Sequence, residues 1–181
     1  MPTAIKENWL NIRIIAHPEP FPVSYHQIFD ITPKILDEFN PDIVLHIGLA
    51  VERKYYAIER GAARDGYYQY PDTARKVFTK AETKKAWSKS PDRLDSVLDF
   101  DAVLPKWKEA VGKGVDLRSS DDVGTFVCGF MYYTSMEHMW QKGKGDVTVV
   151  FLHLPPLPSP KDIERGKNVV LALIRTLAET C

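Results

Sequence analysis

Two uninterrupted apolar runs constrain this chain more than any other feature. Ile43-Val44-Leu45-His46-Ile47-Gly48 follows Pro41-Asp42. Val147-Thr148-Val149-Val150-Phe151-Leu152-His153-Leu154 runs into Pro155-Pro156-Leu157-Pro158-Ser159-Pro160. A strand with one wet face alternates apolar and polar residues, and these runs do not. Continuous apolar runs of this length, closed by turn residues, argue for strands buried on both faces, as in a parallel sheet covered by helices.

The segments between them supply those helices. Ile12–Ala16 reads as a further short strand, closed by the turn His17-Pro18-Glu19-Pro20-Phe21-Pro22. After the candidate cap Ser24, Ile28, Phe29, Ile31, Ile35, Leu36 and Phe39 fit one helical face, and Pro33 should kink or divide that helix. Residues 61–96 mix aromatics, Lys, Asp and Pro without a sustained period and read as a long irregular excursion. Helices are expected over 101–111, 125–141 and 161–178, with a short strand from Val115 to Ser119. Strands alternating with helices imply a mixed or parallel sheet between helical layers.

Composition narrows the class without choosing a function. At 181 residues the chain is a single domain, 1–181, on the usual scale of roughly 150 residues per domain. Twenty-four Lys and Arg balance 24 Asp and Glu, so nucleic acid is not the default partner, and the Lys-rich stretch Lys80–Lys89 reads as a solvated loop. There is no apolar run of about 18 residues to cross a membrane, and Met1–Arg13 lacks the pattern of a secretory signal. Two cysteines build no disulfide framework, which points to a reducing, cytoplasmic setting.

Three side chains stand where chemistry is possible. Cys128 opens a helix after a glycine-containing turn, where free backbone N–H groups and the helix dipole favour a thiolate and can receive an oxyanion. Flanked by Phe126, Val127 and Phe130, it reads more simply on local sequence as a small buried hydrophobe. His153 lies near the carboxyl end of a buried strand, where α/β sheets collect ligands; it is either a general base or a core histidine. Glu59 is placed to orient a histidine, although a solvated Glu beside Arg60 is the simpler local reading. His46, in mid-strand, reads as structural. His17 and His26 do not have metal-ligand spacing, and no phosphate-binding or dinucleotide loop is present, so neither metal nor cofactor is expected.

In the order Glu, Cys, His, these segments resemble the pyroglutamyl peptidase I family of cysteine peptidases, in its eukaryotic and especially fungal form. The likeness is carried by Pro41–Ala50 running on through Tyr56-Ala-Ile-Glu59-Arg, by Ser120-Asp-Asp-Val-Gly-Thr-Phe-Val-Cys128-Gly-Phe-Met-Tyr-Tyr-Thr-Ser135, and by Val150-Phe-Leu-His153-Leu-Pro-Pro-Leu157. Weaker likeness runs from His17 to Tyr25 and over Leu94–Asp99, and the nearness to the fungal form is carried by Tyr132–Ser135 and Arg64–Tyr67. The resemblance implies a three-layer α/β/α sandwich with a mixed, mostly parallel sheet, and Cys128 as nucleophile, His153 as general base and Glu59 as its orienting partner. It implies a lactam slot lined by Phe126, Val127 and the backbone near Leu49, with N-terminally pyroglutamylated peptides as substrates. Oligomer formation is open. Family members begin with a strand, a Gly-Phe-Gly-Pro-Phe-type loop and a helix that this sequence does not show, so the sheet is expected to be short at its N-terminal side. With that pocket wall missing, the alternative is an impaired or inactive member serving as a binding protein.

Overall fold

The computed structural model describes residues 3–7 and 12–181. Strands β1 (Thr3–Glu7) and β2 (Ile12–Ala16) form an antiparallel pair. They are followed by α1 (Tyr25–Phe39), β3 (Ile43–Leu49), β4 (Tyr56–Glu59), β5 (Gly61–Ala63), α2 (Lys80–Trp87) and β6 (Arg93–Asp95). The chain continues through α3 (Phe100–Val111), β7 (Leu117–Ser120), α4 (Val127–Gln141), β8 (Thr148–Leu154) and α5 (Pro160–Thr180). β3, β8, β4 and β7 make the central sheet in that order. β8 runs parallel to β3 and antiparallel to β4, and β4 runs parallel to β7, so the sheet is mixed. α1, α2 and α4 pack on one face and α3 and α5 on the other, which gives the expected three layers.

Alternation along β8 builds both cores. Val149 and Phe151 turn towards α1 and α4, and Val150 and Leu152 towards α3 and α5. With a partner strand on each side, β8 is buried at every position except Leu154. β3 differs from expectation. It forms one edge of the sheet, and Ile47 and Leu49 are 49% and 58% exposed. An apolar run shows that a strand suits a dry environment, but neighbours elsewhere in the fold decide whether both faces receive cover.

Two further expectations change. Pro33 does not divide α1, whose buried face of Tyr25, Ile28, Thr32 and Leu36 continues through it. Packing of both halves on one core outweighs the backbone bond the proline removes. Ser24 occupies the N-cap, but Tyr25 N–H donates instead to Asp72 Oδ2 at 3.1 Å, a cap from 47 residues away. Nor are residues 61–96 irregular throughout. β5 and β6 pair antiparallel, and α2 opens with the Thr79–Glu82 capping box, so Lys80–Lys89 is largely helix rather than loop. The aromatics of this stretch lack a period because they converge on one ring of α4 from a turn, a loop and a helix rather than from one element. Tyr67, Phe78 and Trp87 all meet the Phe130 ring, at centroid separations of 5.0, 4.8 and 5.4 Å.

On the far side, Trp107 is fully buried and its indole N–H donates to Val169 O at 3.0 Å, joining α3 to α5. Truncating a side chain so placed costs about 3–5 kcal/mol. Among the described residues, no helix is long and apolar enough to cross a membrane.

Candidate active site

Strand register assembles the site. Gly48 of β3 lies opposite His153 of β8, and Glu59 of β4 lies opposite Phe151. Period-two alternation therefore sends His153 and Glu59 to the α4 side of the sheet, two positions apart along β8. His153 Nδ1 and Glu59 Oε1 are 2.7 Å apart, with both side chains almost wholly buried. A carboxylate only accepts, so Nδ1 carries the proton and the neutral ring keeps its lone pair on Nε2. The Phe151 ring packs against the imidazole at 4.8 Å.

Cys128 reaches the same face from α4. It is the second residue of the helix, whose first backbone bond runs from Phe130 N–H to Phe126 O. The N–H groups of Val127, Cys128 and Gly129 precede that bond and point out of the helix end. Gly129 lets this first turn sit against the preceding loop, because a Cβ there would lie 2.1 Å from Gly124 O. At Gly48 a Cβ would lie 3.1 Å from Cys128 Sγ. The sulfur thus sits above Gly48, the residue paired with His153. Among the described residues the thiol makes no hydrogen bond to the imidazole.

The electrostatics of the thiol run against the sequence expectation. Burial first, then the Glu59 charge, push the Cys128 thiol from 9.0 up to about 11, and Arg53 opposes the shift. The helix end is where the sequence places it, but burial is the largest influence on the thiol and its own backbone N–H, which lowers the pKa, the smallest, so the resting residue is a thiol.

The other candidates fall in three places. Phe126 caps α4 with its ring 38% exposed, edge-on to Tyr25 at 6.1 Å, and Leu49 stands open at the end of β3. The Val127 side chain is buried in the core. His46 Nε2 lies 2.8 Å from Ser135 Oγ, and burial lowers its pKa to about 4, so the ring is neutral and structural. His26 pairs with Glu82 on α2, and His17 Nδ1 bonds the Glu19 carbonyl. No group of three or more His, Cys, Asp or Glu side chains among the described residues gathers as a metal site.

Sequence reasoning missed Arg53. Its Nη1 lies 2.5 Å from Glu59 Oε1, and its Nη2 donates to Asp122 O at 2.6 Å. Arg60, the apparent partner of Glu59, instead reaches Ser119 Oγ and the face of Phe100. Glu59 is not solvated but fully buried. A buried carboxylate is costly without a charged or hydrogen-bonding partner, and nothing local to Glu59 in the sequence marks Arg53 rather than the adjacent Arg60 as that partner.

A buried carboxylate, an imidazole within hydrogen-bond distance of it and a thiol at a helix N-terminus, on one face of a three-layer α/β sheet, are the equipment of a thiol hydrolase. Comparison with known proteins gives the particular family. The family model described as pyroglutamyl peptidase matches residues 8–174. Rat pyroglutamyl-peptidase 1 is 27% identical over 161 residues, covering 89% of this chain and 72% of its own length. Pyrrolidone-carboxylate peptidase of Pyrococcus furiosus is 29% identical over 149 residues, covering 82% and 68%. A crystal structure of the Pyrococcus furiosus pyrrolidone carboxyl peptidase superposes with a TM-score of 0.70 at 24% identity, over 88% of this chain and 80% of that one, which establishes the fold. The chain belongs to the pyroglutamyl peptidase family, a family of cysteine peptidases.

Proposed function

We propose that the protein hydrolyses the N-terminal pyroglutamyl residue from peptides, with Cys128 as nucleophile, His153 as general base and Glu59 as the partner that orients the imidazole. The observation that carries this reading is the buried 2.7 Å contact between His153 Nδ1 and Glu59 Oε1, which leaves Nε2 as the base on the face that holds Cys128. Because the thiol is protonated at rest, proton transfer to Nε2 accompanies attack of Sγ on the pyroglutamyl carbonyl carbon. The free N–H groups of the α4 N-terminus suit the oxyanion that forms. Collapse returns the proton from Nε2 to the departing amine, and water hydrolyses the thioester with the same imidazole as base. Phe126 and Leu49, apolar and exposed, each next in sequence to a residue of the site, are proposed to flank the lactam, with the Val127 main chain as a partner for its polar edge. A slot matched to a neutral five-membered ring discriminates against the charged chain of N-terminal Glu.

The test is release of a fluorescent amine from a pyroglutamyl amide by the purified chain. Turnover is expected, lost in Cys128→Ala and after thiol alkylation, with far slower release from the corresponding glutaminyl amide. A folded, monodisperse sample that binds the amide without turnover would overturn the reading in favour of a binding protein on the same scaffold.

A further inference from the structure

We propose that Arg53 is a positioning residue of this site, a guanidinium that locks the orienting carboxylate to the turn leading into the nucleophile. The inference rests on the triad reading above and extends it.

Three observations carry it. First, Arg53 and His153 converge on one oxygen of Glu59. Oε1 takes Arg53 Nη1 at 2.5 Å and His153 Nδ1 at 2.7 Å, while the buried Oε2 has no partner. A fully buried carboxylate is costly without a cation, and Arg53 is the permanently charged one of its two partners.

Second, the other arm of the fork leaves the acid and reaches the nucleophile segment. Nη2 donates to Asp122 O at 2.6 Å. That residue opens the turn into α4: Asp122 N–H bonds Ser120 Oγ, and Gly124 N–H bonds Asp122 Oδ1. Gly124 O in turn lies against the Cα of Gly129, one residue beyond Cys128. A single planar group therefore spans from the imidazole's partner to the backbone that positions the sulfur. Lysine, a point charge on a flexible stem, cannot hold both ends in this way.

Third, Arg53 is itself held. Its backbone N–H closes the turn after β3 on Ala50 O at 3.0 Å, and its guanidinium lies 5.6 Å from the Tyr55 ring, which also carries Arg118 at 4.1 Å. The side chain is 18% exposed, so its charge acts across a largely dry path.

The groups facing Glu59 are His153 from β8, Arg53 from the turn after β3, and Cys128 and Tyr132 from α4; the Tyr132 hydroxyl donates to Glu59 O at 2.9 Å. Of these, only Arg53 supplies a fixed positive charge to offset the carboxylate. Its removal should make thiolate formation harder as well as loosen the imidazole, and a merely structural arginine would not do the first.

The experiment follows two readouts in wild type, Arg53→Met and Arg53→Lys: kcat and KM on the pyroglutamyl amide, and the pH dependence of Cys128 alkylation by iodoacetamide, which needs no turnover. R53M is expected to lower kcat by about 10²-fold with little change in KM, and to slow alkylation at pH 9 about tenfold, the effect of moving the thiol by one pH unit. R53K should restore the alkylation profile, because it keeps the charge, but recover kcat only in part. Should R53M fail to fold, R53M/E59Q, which removes both buried charges, is compared with E59Q. If the arginine acts through Glu59, the second substitution then changes kcat less than twofold. Unchanged alkylation and kcat in R53M, or a further large fall in the double variant, would overturn the proposal. Failure of the wild-type chain to turn over the amide would overturn the triad reading instead, and the alkylation profile would still decide on Arg53.

Discussion

Gly48→Ala separates packing from catalysis more sharply than any substitution of a candidate triad residue. Gly48 lies within β3 opposite His153, and a Cβ there would meet Phe151 Cε1 and Cζ at 2.9 Å and Cys128 Sγ at 3.1 Å. Carbon atoms ordinarily settle about 3.5–4.0 Å apart, so the new methyl is roughly 0.6 Å too close to the ring. Phe151 is 2% exposed and has little room to retreat, with the rings of His46, Tyr132 and His153 at 6.0, 5.8 and 4.8 Å. Overpacking of this kind costs about 1–3 kcal/mol. At about 2–4 °C per kcal/mol for a chain of this size, Tm should fall by about 2–12 °C. The sulfur must shift by several tenths of an ångström, and a 1 Å misplacement costs about 10²-fold, so kcat/KM should fall by about 10- to 100-fold. Thermal unfolding and hydrolysis of a pyroglutamyl amide measure the two effects. At an uncrowded strand position Gly→Ala stabilises by about 0.5–1 kcal/mol through lost chain entropy. A G48A protein with raised Tm and full activity would refute the placement of Phe151 and Cys128 over this residue.

Three other outcomes follow from the same geometry. Glu59→Gln keeps the shape but loses the charge beside His153 Nδ1; if the proposed triad operates, kcat should fall by about 10³- to 10⁴-fold, the scale of the comparable change in other triads, as steady-state kinetics will show. The Cys128 thiol, raised from 9.0 to about 11, stays protonated in the folded chain at pH values where the unfolded chain has ionised. Its contribution to stability is therefore full below pH 9 and lost as pH rises from about 9 to 11; urea unfolding across that window should show a steeper loss for wild type than for Cys128→Ala. Ser135→Ala removes the hydroxyl bonded to His46 and should cost about 1 kcal/mol in urea unfolding while leaving kcat/KM unchanged, as expected of a structural histidine.

The elements that the sequence locates best are those whose signal is local. β8, α3 and α5 fall within one or two residues of expectation because an apolar run or a helical face, bounded by Pro, Gly or a capping residue, reports on its own segment. The excursion at 61–96 was illegible because its aromatics answer to α1 and α4, which are distant in sequence, rather than to a local period. Asp72 as the cap of α1 was equally hidden, since nothing near Ser24 announces a partner 47 residues away.

For the candidate site the division is similar. Sequence alone determined that Cys128 begins a helix, that His153 ends a buried strand, and that the order Glu, Cys, His matches a known family. Only the tertiary structure decided that Glu59 turns inward and Arg60 away, that the partner cation is Arg53, and that burial keeps Cys128 a thiol despite its helix end. The reason is physical. Periodicity and capping act over a few residues along the chain, whereas desolvation and charge pairing depend on which residues the strand register brings together, and that register joins β3, β4 and β8 from opposite ends of the sequence.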